Sequence, residues 1–209
     1  MTQPIPPLAR NQRYRYFTRM ARFGNTDPRS DRELVRVCNE GNATDAARAF
    51  TAIYGRYKDY VIRVALRFVR DRETALDVLQ ETFSYLLRKF PPSGDGLILT
   101  AQLTTLLYPV AKNNALTLMR KADRFPTDEG LRPDDLPART SSESGDIADV
   151  MRELSDEHRE VILLRFVDDL SLGEIADVLR IPLGTVKSRL HLAIRHLRES
   201  PQIRDLHFR

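Results

Sequence analysis

Basic and small polar side chains gather on one face of a predicted helix near the C-terminus. From Arg180 to Arg198 the sequence holds five Arg or Lys residues and two His but no Asp or Glu, whereas residues 149–177 hold nine acidic residues against three Arg. Such side chains bind DNA phosphates by charge and read base edges by hydrogen bonds. This local excess of positive charge favours a DNA-binding helix over the alternative, a basic face that contacts only solvent. The face carries Lys187, Ser188, Arg189, His191 and Arg195.

Two short helices joined by a tight turn are predicted to position this face. Ser171 followed by Glu174 fits a capping box, which begins the first helix. Pro182 lacks an N–H and disfavours helix at the residue before it, so the first helix ends there and a second begins near Leu183. The stretch from Ser171 to Arg198 is therefore predicted to be a helix-turn-helix. Apolar residues at helical spacing give it a buried side, namely Ile175, Ala176, Val178, Leu179, Val186, Leu190, Ile194 and Leu197.

The composition argues against several other kinds of protein. No apolar run of the 209 residues approaches the length of a membrane-spanning helix, and the N-terminus has no apolar signal region, so we expect a cytoplasmic protein without membrane insertion. The single cysteine, Cys38, excludes an internal disulfide, and with only four His there is no zinc-ligand cluster. No glycine-rich phosphate loop or nucleophile motif is present. The sequence therefore predicts no cofactor, no metal and no enzymatic activity.

Helical periodicity upstream predicts an all-α protein. Ser30 and Glu33 form a second possible capping box, which opens a helix closed by Gly41. Three further helices are predicted at residues 43–69, 72–90 and 97–124. Pro109 lies inside the last of these, so a kink is predicted near Tyr108. The basic second half of this helix either binds a phosphate backbone or is a solvated helix end.

The helix at residues 72–90 has an apolar face and a polar face. Spacing alone favours a solvated polar face over a partner-binding one, since most polar helix faces contact only water. The apolar face, predicted to be core, carries Leu76, Leu79, Phe83, Leu86 and Phe90. The opposite face carries Asp77, Gln80, Glu81, Ser84 and Arg88.

A change of composition divides the chain into two helical domains. Residues 125–145 contain three prolines, acidic residues and a serine run, which is typical of a flexible linker. The predicted organisation is a flexible basic arm at 1–29, a helical domain at 30–124, the linker, a helix-turn-helix domain at 146–200 and a tail at 201–209. The core of the second domain is predicted to contain Val161, Ile162, Leu164 and Phe166.

Three stretches together resemble the extracytoplasmic-function (ECF) subfamily of sigma-70-type RNA polymerase sigma factors. LSDEHREVILLRFVDDLSLGEIADVLRIPLGTVKSRLHLAIRHLR is similar to the domain that binds the promoter −35 element. ALDVLQETF resembles the polymerase-binding helix of the family, usually AeDivQevF, and LLYPVAKNNALTLMRK resembles its promoter-melting helix, usually WLytiArNlaiDylRk. The resemblance covers most of the chain, from about Leu34 to Arg198. It implies an alternative sigma factor that binds core RNA polymerase and promoter DNA.

The resemblance assigns roles to particular residues. The polar face of the polymerase-binding helix would dock on the clamp coiled coil of the largest polymerase subunit, with Phe83 packing beneath it. Its contacts would be Asp77, Gln80 and Glu81. The matching −10 positions are Lys112, Asn113, Arg120 and Lys121. The −35 duplex would be contacted by Thr185, Lys187, Ser188, Arg189, His191 and Arg195.

The chain departs from the family pattern at a few positions. The usual tryptophan falls at Leu106, an Asp at Thr117 and an Arg of the final helix at Leu192, while Pro109 stands where the pattern has no proline.

Many proteins of this type are also held by an anti-sigma partner. The rival interpretation is a dimeric helix-turn-helix regulator, which would use Ser171 to Arg198 for DNA and would not bind core polymerase as a sigma subunit.

Overall fold

The computed structural model describes residues 27–124 and 150–200, and these contain helices but no strand. They belong to two compact units, 27–124 to the first and 150–200 to the second. The first contains α1 Asp31–Glu40, α2 Ala43–Ala65, α3 Arg72–Leu87 and α4 Leu103–Arg124. The second begins with a helical turn at 150–153, followed by α5 Asp156–Phe166, α6 Leu172–Leu179 and α7 Leu183–Glu199. Two helical domains were expected and are confirmed.

Several predictions fall outside the described residues. They concern almost all of the basic arm at 1–29, the linker at 125–145 and the tail at 201–209. The exact domain boundaries therefore stay predictions. Among the helices that the structure describes, none is long and apolar enough to cross a membrane.

The start of α1 has the predicted capping box. The Ser30 backbone N–H donates to the Glu33 carboxylate at 2.7 Å, and the Glu33 N–H donates to the Ser30 hydroxyl at 3.3 Å. These bonds satisfy two backbone donors that the first helical turn leaves without partners. Gly41 ends the helix with its N–H bonded to the Val37 carbonyl, in an extended rather than a left-handed conformation.

An aromatic cluster forms the centre of the first unit. Phe83 of α3 meets the rings of Phe50 and Tyr54 of α2 edge-on, with centroids 6.3 and 4.8 Å apart, and Phe90 meets Phe50 at 6.2 Å. Phe83 and Phe90 are buried, as their spacing predicts, and Phe50 is buried with them. Edge-to-face contacts of this kind add to the burial of apolar surface, so the cluster fixes α3 against α2. Helix α4 packs against both.

Several details of this unit differ from the prediction. Helices α2 and α3 end at Ala65 and Leu87, before the predicted residues 69 and 90. Leu76 is only half-buried, while Ala75 and Val78 of the same helix are fully buried, because α3 turns this side toward its neighbours. Helix α4 begins at Leu103 rather than near Leu97, since the backbone N–H and carbonyl of Leu97 are both bonded to the Asn39 side chain at 2.9 Å.

Helix α4 runs through Pro109 without interruption. The ring removes the N–H that would bond to the Thr105 carbonyl one turn earlier. Pro109 is partly exposed, so water can reach that side of the helix. The predicted kink near Tyr108 stays a prediction.

The second unit has a smaller core, made of aliphatic side chains. Leu154, Ile162 and Ala193 form a buried cluster, against which Met151, Leu190, Ile194 and Leu197 pack. Helix α7 packs against both α5 and α6. Val161, Ile162 and Leu164 are buried, as predicted.

Phe166 is the wrong member of the predicted core, because 63% of its surface is exposed. Helix α5 ends at Phe166, and the chain then turns through Asp169, whose φ is 55°. The turn brings the fully buried Leu170 into the core instead, with its N–H bonded to the Leu164 carbonyl at 3.0 Å. The periodicity of α5 could not reveal this, since the turn lies beyond the helix end.

Candidate nucleic-acid and protein interfaces

The helix-turn-helix begins with the second predicted capping box. The Ser171 N–H donates to the Glu174 carboxylate at 2.9 Å, and the Glu174 N–H donates to the Ser171 hydroxyl at 3.2 Å. Ile175 and Val178 are the buried residues of this helix. The capping box determines where α6 starts. The buried side of α6 determines how this helix packs on α7.

A left-handed residue makes the turn between α6 and α7. Arg180 has φ 55° and ψ 45°, and the N–H of Ile181 reaches back to the Ala176 carbonyl at 3.1 Å. This is the bond of a Schellman motif, in which the left-handed position is usually glycine. A side chain in that conformation costs about 1 kcal/mol. The Arg180–Ile181–Pro182 break predicted from the sequence is confirmed.

The N-terminus of α7 is open to solvent. Pro182 supplies no side-chain hydrogen bond, and the first turn contains no acidic residue. The N–H groups of Thr185 and Val186 both reach the Pro182 carbonyl, whereas Leu183 and Gly184 precede that bond and are exposed. Free N–H groups and the positive end of the helix dipole favour a phosphate at such an end.

The predicted −35 residues all lie off the buried side of α7. Val186 and Ala193 are the buried residues of this helix. Lys187, Ser188, His191 and Arg195 are exposed, while Thr185 and Arg189 are half-buried. The Ser188 hydroxyl donates to the carbonyls of Gly184 and Thr185, at 3.0 and 3.1 Å, so it can offer DNA a lone pair rather than a proton. Leu192 stands among these residues with 38% of its surface exposed.

The predicted polymerase-binding residues share one side of α3. Glu81 is exposed, and Asp77 and Gln80 are half-buried. Gln80 and Glu81 follow Asp77 by three and four residues, which places all three side chains on adjacent turns of one helix face. Phe83 of the same helix is fully buried. Ser84, which the spacing assigned to the same face, is buried, and Arg88 is the exposed C-cap of the helix.

The predicted −10 residues occupy a broad ridge of α4 rather than one stripe. Asn113 and Arg120 are seven residues apart, two helical turns, and both are exposed. Lys112 and Lys121 flank them on opposite sides of the ridge. The Lys112 ammonium lies 5.6 Å from the centre of the Phe68 ring, a cation–π contact that holds it near the helix. The Asn113 carbonyl accepts a hydrogen bond of 2.7 Å from the Thr117 hydroxyl.

Family models match both units. The model described as Sigma-70 region 2 matches residues 53–125, and the model described as Sigma-70, region 4 matches residues 150–199. The first match contains α3 and α4, and the second contains the whole helix-turn-helix. Together they cover more than half of the chain.

Curated relatives match over most of their length. The chain is 33% identical over 177 residues to ECF RNA polymerase sigma factor SigW of Bacillus subtilis, covering 76% of this chain and 90% of the relative. It is 35% identical over 175 residues to ECF RNA polymerase sigma factor SigL of Mycobacterium tuberculosis, covering 79% and 94%. The chain belongs to the ECF RNA polymerase sigma factors. It is therefore an alternative sigma factor, which directs promoter-specific initiation of transcription, and the rival of a separate helix-turn-helix regulator is not favoured.

Two solved structures have a similar fold. CnrH, in complex with the cytosolic domain of CnrY, matches with a TM-score of 0.58 at 22% identity and covers 80% of this chain and 94% of that chain. The sigma factor RpoE, in complex with the anti-sigma factor NepR from Bartonella quintana, matches with a TM-score of 0.55 at 22% identity and covers 73% and 96%. At this identity the likeness establishes the fold of the ECF sigma factor alone.

Some residues that shape these surfaces were missed from the sequence. The guanidinium of Arg159 donates to the carbonyls of Met151, Arg152 and Leu154 at 2.7 to 2.9 Å, and so closes the helical turn that precedes α5. Asn39 holds the start of the segment before α4. Their partners are backbone atoms, so no spacing of residue types could have revealed either contact.

Proposed function

We propose that this ECF sigma factor binds core RNA polymerase through the polar face of α3, by way of Asp77, Gln80 and Glu81. The supporting observation is that these side chains share one face of α3, a helix that the buried Phe83 anchors in the core. Because the aromatic cluster fixes α3, the face is already formed before a partner arrives. The clamp coiled coil of the largest polymerase subunit is the proposed partner.

Promoter DNA is the second proposed partner of the first unit. The exposed ridge of α4 carries Asn113 and Arg120, with Lys112 and Lys121 beside them. Amide groups can hydrogen-bond base edges, while Arg and Lys neutralise phosphates of a separated strand. The ridge is therefore proposed to engage the −10 region.

The recognition helix α7 is proposed to lie in the major groove at the −35 element. Its open N-terminus suits a phosphate, and Lys187, Arg189 and Arg195 supply charge along the groove. Thr185, Ser188 and His191 complete the proposed contact set. Phosphate contacts would set the register, and an Arg would read guanine through two hydrogen bonds.

Two further features complete the proposal. RNA synthesis is chemistry of the polymerase, so the sigma factor itself acts as a non-enzymatic subunit in the cytoplasm. An anti-sigma partner that covers the proposed polymerase and promoter surfaces is also proposed. The supporting observation is that both solved relatives named above are held in complexes, one of them with a protein called an anti-sigma factor.

Gel filtration with core polymerase tests the first contact. The unmutated chain should co-elute with core enzyme, and the triple variant Asp77→Ala, Gln80→Ala and Glu81→Ala should bind at least about tenfold more weakly, as for a few contacts near the centre of an interface. Glu73→Ala, at an exposed position in the first turn of the same helix, is the matched control. Failure of the unmutated chain to form any complex would contradict the sigma assignment.

Charge reversal on α7 tests the promoter contact. Arg189→Glu should leave polymerase binding intact and abolish promoter-specific run-off transcription, because it places a carboxylate against DNA phosphate. Arg198→Glu, in the last turn of the same helix, is the control and should retain most transcription. Unchanged initiation by the Arg189 variant would remove α7 from the promoter interface.

A further inference from the structure

A polar pair joins α3 to α4 inside the first unit. The Asn114 side-chain amide donates to the Thr82 hydroxyl oxygen at 3.3 Å. Thr82 is fully buried, and Asn114 is half-buried. Ala111 and Ala115, on either side of Asn114 along α4, are fully buried. The hydrogen bond is thus a polar contact within a mainly apolar helix packing.

Both members of the pair lie where apolar side chains would also fit. Thr82 precedes Phe83 on α3, and Asn114 lies between Ala111 and Ala115 on α4, and all three of these neighbours are fully buried. A buried polar group is unfavourable unless it is hydrogen-bonded, and two apolar groups of similar shape would be about as stable as the bonded pair. Stability by itself therefore does not explain why both positions are polar. The directionality of the hydrogen bond does explain it, because a hydrogen bond has a preferred geometry and an apolar contact has none.

The neighbours of the pair are the residues proposed to act. Thr82 follows Glu81 on α3, and Asn114 follows Asn113 on α4. Rotation of α4 about its axis, or sliding along α3, would move Asn113 and would also break the bond. The large buried side chains of α4, Leu103, Leu107 and Tyr108, lie in its first half, whereas the buried residues beside Asn114 are the small Ala111 and Ala115. The bond therefore ties the orientation of the −10 ridge to the polymerase-binding helix.

We propose that Thr82 and Asn114 are positioning residues that hold the −10 ridge of α4 in the orientation needed for promoter opening. The inference rests on the proposed roles of α3 and α4. It predicts that the pair affects opening of DNA by the assembled holoenzyme and leaves the affinity for core polymerase unchanged.

The test uses holoenzyme reconstituted from core RNA polymerase and the full chain. Its promoter is mapped by run-off transcription of genomic DNA with the unmutated holoenzyme. The variants are Thr82→Val, Asn114→Leu, the double variant that combines them, and Thr82→Ser, which keeps the hydroxyl. The measurements are the rate at which thymines become reactive to permanganate, the Kd for core polymerase, and the Tm of the free chain.

Thr82→Val should slow opening about three- to tenfold, the range for loss of one uncharged hydrogen bond, with the Kd for core polymerase within about twofold. Thr82→Ser should open DNA at the unmutated rate. The double variant gives the decisive result, since it restores a matched apolar contact. Its Tm should return to that of the unmutated chain while its opening rate stays low.

Recovery of both Tm and opening rate in the double variant would overturn the proposal, because the pair would then serve packing alone. Equal loss of opening rate and core affinity in Thr82→Val would overturn it as well. Asn113→Ala separates this inference from the proposed function. If that variant opens DNA normally while Thr82→Val does not, the −10 role of Asn113 is wrong and the positioning of α4 stands.

Discussion

The two units hold their binding helices in place by different means. In the first unit, α3 is fixed by large side chains, since Phe83 lies between the rings of Phe50 and Tyr54. In the second unit, the core is aliphatic and small, and hydrogen bonds at helix ends do much of the positioning. The guanidinium of Arg159 and the left-handed turn at Arg180 are the main examples.

The difference matters because apolar packing and hydrogen bonds respond differently to change. Loss of a buried ring leaves a cavity, and the cost falls on the stability of the whole unit. Loss of a bond at a helix end frees local backbone groups, so the orientation of a nearby helix changes at smaller cost. A single lost contact should therefore cost the first unit more stability than the second.

The largest expected effect on stability appears when two phenylalanines, both predicted from the sequence to be core residues, are replaced by alanine. Phe83→Ala should lower the free energy of unfolding by about 3–5 kcal/mol, because the buried ring leaves a cavity. Phe166→Ala should change it by less than about 0.5 kcal/mol, since the side chain is mostly exposed.

Urea unfolding of the full chain checks this pair of variants. Tyrosine fluorescence reports the first unit, because all seven tyrosines lie before residue 126. Circular dichroism reports the helices of both units, so the part of its transition that tyrosine fluorescence does not follow is assigned to the second unit. A loss of several kcal/mol for Phe166→Ala would mean that the second unit also depends on a buried aromatic ring, and the contrast between the units would disappear.

The next effect concerns the helix end held by Arg159. Arg159→Lys should lower the free energy of unfolding of the second unit by about 2 kcal/mol, because one ammonium cannot reach three carbonyls as a guanidinium does. Arg198→Lys, exposed on α7, is the matched control and should have little effect. Chemical denaturation followed by circular dichroism measures both. Equal stability of the two variants would show that the carbonyl bonds contribute little.

A smaller effect of opposite sign is expected at the turn before α7. Arg180→Gly should raise the free energy of unfolding by up to about 1 kcal/mol, because glycine adopts a positive φ without steric cost. Arg180→Ala keeps the Cβ and should gain nothing, so the two variants separate backbone strain from loss of the guanidinium. Thermal unfolding provides the comparison. If alanine stabilised as much as glycine, backbone strain would not be the cause.

The smallest effect is electrostatic and lies at the edge of the first unit. Hydrogen bonds from Arg29 lower the pKa of the Asp27 carboxyl from 3.8 to about 2. A lowered acid pKa stabilises the fold above the ordinary value, and this contribution is lost as the pH falls from about 4 to about 2. The pair is partly exposed, so the contribution should be below about 1 kcal/mol.

Asp27→Asn and Arg29→Gln should therefore flatten the fall in stability over this pH range by similar amounts. Denaturant titrations at about pH 2, 3, 4 and 5 measure how the free energy of unfolding changes with pH. These values span about the range in which a carboxyl group titrates. An unchanged slope in both variants would mean that the ion pair has no influence on stability.

Local signals in the sequence predicted the ends of helices well. The Ser30 and Ser171 capping boxes and the break at Pro182 need only residues a few positions apart. Such contacts form within one helix or one turn, so neighbouring residues determine them. The family resemblance added the order of the two domains, which the family models then confirmed.

Predictions failed where residues outside the helix itself decide a position. Phe166 has the spacing of a core residue, yet the turn at Asp169 places Leu170 in the core instead. Helix α4 starts six residues later than predicted, at Leu103, after a segment that bonds to Asn39 on α1. Neither outcome follows from the apolar spacing within the helix.

The sequence by itself determined the order of the helices, most of their starts and most of the face that each presents, because these follow from periodicity and short-range hydrogen bonds. Only the tertiary structure decided which half-polar positions are buried and which residues pair across helices. Thr82 and Asn114 are 32 positions apart in the chain, and packing of α4 on α3 brings their side chains to 3.3 Å. A hydrogen bond between helices depends on their relative rotation, and no local sequence pattern specifies that angle.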